Sequence, residues 1–128
     1  MRSLKLFIVE DSPAILRALQ TLLSDIPQVE IVGYADNARE ASELIDQRKP
    51  DVALLDISLS EGTGIDVSKS IKKTLPATVV IIFTAHDDPQ FRAKCHAAGV
   101  DYFLNKFDEF LKLPELLLQI MKNRNSSL

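Results

Sequence analysis

The chain has 128 residues and a single cysteine, Cys95, so no intramolecular disulfide can staple it. A reducing compartment is its natural setting. No apolar run approaches the roughly 20 residues that cross a bilayer. The opening Met1-Arg2-Ser3-Leu4-Lys5-Leu6 lacks the long apolar segment and cleavage site of a secretory signal. Together these absences lead us to expect a cytoplasmic protein without membrane attachment. Lysine and arginine are concentrated nowhere, and the net charge is −3. The positive face that a sequence-independent grip on nucleic acid requires is therefore missing, and no direct nucleic-acid binding by this domain is expected. Glycine is scarce, and Gly62-x-Gly64 is too short for a dinucleotide loop, so it reads as a turn.

What is present is ordinary globular material, 46% hydrophobic and 26% charged. A chain of this size buries about two-thirds of its unfolded surface, enough to fold without metal or disulfide. One domain over residues 1–123 is expected, with residues 124–128 as a polar tail. Five short apolar runs, Leu4–Val9, Val29–Tyr34, Val52–Leu55, Val79–Phe83 and Val100–Leu104, are nearly continuous rather than alternating. That pattern suits strands buried on both faces.

Amphipathic helices are predicted between and after these strands. The first carries Ile15, Ala18, Leu19, Leu22 and Leu23 behind Ser12-Pro13; the second carries Ala38, Ala41, Leu44 and Ile45 and ends before Pro50. The others span Ile65–Leu75, Pro89–Ala98 closed by Gly99, and Pro114–Asn123. Strand and helix alternating five times predict an α/β fold, a parallel sheet with helices on both faces.

Ligands of such sheets bind at the carboxyl ends of the strands. Glu10 and Asp11 follow the first strand, Asp56 the third, Thr84 the fourth, and Asn105-Lys106 the fifth. Three carboxylates, a hydroxyl and an ammonium would thus share one sheet edge. Crowded carboxylates repel unless a cation intervenes, and a hard oxygen-liganded ion such as Mg²⁺ resolves the conflict. A phosphoryl group in transfer carries negative charge on three equatorial oxygens, which gives Lys106 and Thr84 their use. Asp56, on the central strand, is the best-placed nucleophile, and carboxylates do accept phosphoryl groups as aspartyl phosphate.

With these residues in order, the chain resembles the receiver domain of bacterial two-component response regulators. The resemblance rests on Glu10-Asp11, on Asp56 after Val52-Ala53-Leu54-Leu55, on Thr84-Ala85, and on Lys106 after Asp101-Tyr102-Phe103-Leu104-Asn105. Gly64 and Ala98-Gly99 also match, and the likeness covers about residues 4 to 123. It implies a doubly wound, flavodoxin-like three-layer sandwich with strand order 2-1-3-4-5 and five helices. It also implies phosphoryl transfer from a phosphohistidine on a sensor histidine kinase or phosphotransfer protein. Asp11, Asp56 and the backbone carbonyl of Ser58 would ligate Mg²⁺, with Glu10 acting through water. Thr84 would move inward and the Phe103 ring turn in, altering the face of the fourth helix, fifth strand and fifth helix. That face is where a downstream protein, an output domain or a second copy would bind.

Three residues depart from the family pattern. Phe107 follows Lys106 where the family usually has proline after a cis bond. A non-proline cis bond costs about 2.5–4 kcal/mol, so the peptide is either trans or strained. Ser60 stands where proline is frequent, which should loosen the loop after Asp56. Phe103 replaces the commoner tyrosine, leaving packing alone as its readout.

Other residues have two readings. His86, two past Thr84, is expected to be solvated, the alternative being a touch on the phosphoryl pocket. Cys95 and His96 read as packing residues. Phe107, Phe110 and Leu111 either cover the sheet edge or present a partner contact. Against the receiver stand two other functions. A pseudo-receiver would bind partners without chemistry. An Mg²⁺-dependent aspartyl-phosphate phosphatase would need a second acid where this chain has Ser58.

Overall fold

A computed structural model describes residues 3–126. Five strands, β1 (Leu4–Val9), β2 (Val29–Ala35), β3 (Val52–Leu55), β4 (Val79–Thr84) and β5 (Tyr102–Asn105), form one sheet in the order β2-β1-β3-β4-β5. Every pairing is parallel. The helices are α1 (Pro13–Ser24), α2 (Ala38–Arg48), α3 (Gly64–Thr74), α4 (Pro89–Ala97) and α5 (Leu113–Ser126), the last preceded by a 3-10 turn at Phe110–Lys112. This is the three-layer, doubly wound architecture expected. Among the described residues no helix is long and apolar enough to cross a membrane.

The near-continuous apolar runs have a direct cause. Alternate side chains of a strand point to opposite faces, and here both faces are covered. Leu4, Leu6 and Ile8 of β1 join Leu54, Ile81 and Phe83 beneath α1 and α5. Phe7 and Val9 join Leu55, Val80 and Ile82 beneath α2, α3 and α4. Four helices start on side-chain caps that satisfy an otherwise orphaned N–H. Ser12 accepts from Ile15 (3.3 Å), Asn37 from Glu40 (2.9 Å), Thr63 from Asp66 (3.2 Å) and Asp88 from Phe91 (2.9 Å).

Two element boundaries differ from the sequence pattern by more than one residue. β5 starts at Tyr102 rather than Val100. Val100 donates to the Cys95 carbonyl at the end of α4, and the Asp101 carboxylate accepts from the Val80 N–H at 2.8 Å and from Lys72. A helix end and a side chain thus occupy groups that a strand would pair. α5 carries through Asn123 to Ser126, past the expected helix end at Asn123, and residues 127 and 128 lie outside the described residues. Arg124 supports this last stretch, donating to the Ala77 carbonyl (3.1 Å) and to the buried Asp51 carboxylate (3.2 Å).

Gly62 and Gly64 form the turn into α3, Gly62 with φ +77°. A Cβ on Gly64 would lie 2.1 Å from the main-chain oxygen of Asp56, so α3 can start against the end of β3 only because no side chain intervenes. Gly64→Ala should therefore cost about 1–3 kcal/mol of stability as backbone is pushed apart. Urea unfolding checks this, and an unchanged midpoint would contradict it.

Candidate functional site

Each residue at the site is aimed by the main chain of a neighbouring strand end. The N–H of Glu10 donates to the Ala35 carbonyl (3.0 Å), that of Asp56 to Val9 (3.0 Å) and that of Lys106 to Thr84 (2.8 Å). The sheet thus gathers residues from three distant parts of the chain at one edge, where the strand ends predicted them.

At the centre is an ammonium between two carboxylates. Lys106 Nζ donates to Asp56 Oδ2 at 2.7 Å and lies 2.8 Å from Glu10 Oε1, all three side chains being buried. The approach to Glu10 is an ion pair outside hydrogen-bond geometry, and Oε1 has no other polar partner. Glu10 Oε2 accepts from the Ser12 N–H at 3.0 Å, fixing the carboxylate. Burial pushes the Glu10 carboxyl above its ordinary range, against the lowering pull of Lys106 and the Ser12 N–H. Burial works against the Lys106 charge too, but its hydrogen bond to Asp56 and its pairing with Glu10 outweigh that and raise its pKa. Asp11 is exposed, and one carboxylate oxygen each from Glu10, Asp11 and Asp56 lie within 4.8 Å of one another.

Sequence reasoning placed Glu10 as an outer metal partner and Lys106 toward a phosphate oxygen. It missed that in this form the two side chains pair directly. Acidic and basic residues at strand ends along one edge of the sheet were the available signal. Ser58 is exposed, its N–H lies 3.4 Å from Asp56 Oδ1, and it bridges to Thr63 across the loop. Thr84 is fully buried, its hydroxyl oxygen accepting from the His86 N–H at 3.2 Å.

His86 is exposed but not merely solvated. Its Nε2 lies 3.3 Å from Ser58 Oγ and its ring stacks obliquely on Phe91, so it stands at the rim of the site. Cys95 is buried as a packing residue, whereas His96 is exposed.

The family departures resolve locally. There are no cis peptide bonds among the described residues, so Lys106–Phe107 is trans. Asn105 organises the turn instead, its side-chain oxygen accepting from the N–H groups of Phe107 (3.0 Å) and Asp108 (3.1 Å). Ser60 ties the loop after Asp56 rather than loosening it. Its hydroxyl and its N–H both donate to the Asp36 carbonyl, at 2.9 and 3.2 Å. The apolar cluster divides: Phe110 packs against Phe83 under the sheet edge, while Phe107 and Leu111 are 67% and 78% exposed. Phe103 is half-buried on β5.

Removing the ammonium would leave two buried carboxylates facing each other. Lys106→Met should lower stability at pH 7, without divalent ions, by about 3 kcal/mol. The sign at high pH follows from the raised folded pKa. The stabilisation is fully present below the ordinary value of 10.5 and is lost as pH rises through the folded one, so parent and variant converge there. Denaturant unfolding across pH checks both points, and equal stability at pH 7 would contradict them.

Comparison with known proteins agrees with this geometry. Residues 6–117 match the response regulator receiver domain. The chain is 33% identical over 119 residues to the sensory transduction protein LytT of Bacillus cereus, covering 93% of this chain and 46% of that protein. It superposes on the response regulator domain of Thermotoga maritima CheB with a TM-score of 0.83 at 27% identity, covering 97% of this chain and 98% of the other. A LuxR-family DNA-binding response regulator of Staphylococcus aureus gives a TM-score of 0.84 at 29% identity, covering 91% and 98%. The chain thus spans about half the length of the curated relatives it matches.

Proposed function

From the premise that this chain belongs to the response regulator receiver domain family, we propose that it is a phosphoryl-accepting switch with Asp56 as the acceptor. One observation carries the reading: a buried carboxylate at the end of the central strand, 2.7 Å from a buried ammonium and beside an acidic pair.

In the proposed reaction a carboxylate oxygen of Asp56 attacks the phosphorus of a phosphohistidine on a sensor kinase or phosphotransfer protein. The P–N bond breaks, the P–O bond forms, and the imidazole leaves with a proton. Lys106 then exchanges its carboxylate contact for a phosphoryl oxygen, so charge is stabilised where it develops. Thr84 turns its hydroxyl from the His86 N–H to a second oxygen.

The residues present fit Mg²⁺. Three carboxylates against one ammonium leave two negative charges, and a buried Glu10 oxygen has no hydrogen-bond partner. An all-oxygen donor set is what this ion takes. Asp11, Asp56 and the Ser58 carbonyl would hold it, with Glu10 through water. Bound there, it would neutralise charge on the transferred group. Movement of Thr84 would let the Phe103 ring turn inward, altering the face made by α4, β5 and α5, to which a downstream protein, an output domain or a second copy would respond.

Intact-mass spectrometry after incubation with acetyl phosphate and Mg²⁺ tests this reading. The expected gain is one phosphoryl group, absent without Mg²⁺ and absent in Asp56→Asn. A folded protein that gains none, and that also fails to bind beryllofluoride, would leave a phosphorylation-independent binding module instead.

A further inference from the structure

The contact that bears on the switch from outside the phosphoacceptor site is Arg92. This side chain projects from α4, whose only buried residue is Cys95. Its guanidinium carbon lies 4.3 Å from the centroid of the Phe103 ring, the geometry of a cation–π contact. Its Nε donates to Asp87 Oδ1 at 2.6 Å. Asp87 sits in the loop between β4 and α4, next to His86, whose N–H holds the Thr84 hydroxyl. A continuous set of contacts therefore runs from Thr84 through His86, Asp87 and Arg92 to the ring on β5. We infer that Arg92 is a positioning residue for the switch, holding the Phe103 ring in its half-buried position and tying that position to the loop after Thr84. The inference rests on the phosphoacceptor reading above.

Three points support it. Phenylalanine has no hydroxyl with which to fix its position by a hydrogen bond, so the ring face is its only polar handle, and Arg92 covers it. The Arg92 hydrogen bond is the main cause holding the Asp87 carboxyl below its ordinary range, so loop and helix prefer the paired arrangement. The contact belongs to the ring's present half-buried position, and on this inference it is lost when the ring turns toward the space left by Thr84. An interaction made in one of two states biases the equilibrium by its own strength and no more. Where the phosphoryl-competent state is the minor one, releasing the ring raises apparent affinity by the factor through which that state's population grows.

A cation–π contact at a part-exposed site corresponds to roughly a two- to five-fold change in an equilibrium. The test is calorimetric titration of beryllofluoride in saturating Mg²⁺ against the parent chain, Arg92→Gln and Asp87→Asn. Arg92→Gln should bind roughly two- to five-fold tighter, and Asp87→Asn tighter by a smaller factor, because Arg92 remains but is no longer tethered. Mg²⁺ affinity measured alone should be the same in all three, which general damage to the fold would not leave so. Equal or weaker beryllofluoride binding by Arg92→Gln, with Mg²⁺ affinity preserved, would overturn the inference alone. Failure of the parent chain to bind beryllofluoride would overturn the phosphoacceptor reading and the inference with it.

Discussion

The structure turns on one buried ammonium shared by two buried carboxylates. Lys106, Glu10 and Asp56 come from the ends of three different strands, and their side chains meet within 2.8 Å. Buried charges are tolerated only when paired, so this meeting requires β1, β3 and β5 to end at one level. The sheet provides that alignment by hydrogen-bonding the first residue beyond each of these strands to a neighbouring strand's end. One lysine cannot balance the acidic set once Asp11 is included. On the proposed reading, the remaining negative charge makes the site receptive to a divalent cation, and with it to a phosphoryl group.

Around this centre the neighbouring loops are fixed by polar contacts as well as by packing. Ser60 joins the loop after Asp56 to the residues preceding α2, and Thr63 caps α3 one residue before the glycine that lets the helix approach Asp56. Asn105 shapes the turn after Lys106 through two main-chain N–H groups. Asp56 is thus held on a rigid sheet edge. The side chains argued to move, Thr84 and Phe103, each make one polar contact, a hydrogen bond from the His86 N–H and a guanidinium over a ring face.

Much of this could be read from residue order, for physical reasons. The strands declared themselves because burial on both faces requires unbroken apolar runs, as in Val52-Ala53-Leu54-Leu55. The site declared itself because polar residues directly follow such runs at Glu10, Asp56 and Lys106. Other features depend on side chains finding distant partners, which periodicity does not encode. Residues 100–101 look like strand, yet Asp101 supplies its carboxylate to Val80 across 21 positions. α5 extends past its apolar stripe where Arg124 reaches Asp51. The Phe107-Phe110-Leu111 cluster carried two readings because spacing alone could not tell the ring packed on Phe83 from the two side chains left exposed. Serine at position 60 suggested looseness only while the Asp36 carbonyl was out of view.

The central claim is that the charge left over at Glu10, Asp11 and Asp56 constitutes a divalent-cation site within the folded chain. Thermal unfolding at neutral pH with increasing Mg²⁺ addresses it most directly, because an ion that binds only the folded form raises the midpoint with the logarithm of its concentration. The account expects a rise that continues through the millimolar range and is lost when Asp11 is changed to Asn. A midpoint that does not move with Mg²⁺, or moves equally in Asp11→Asn, would contradict it.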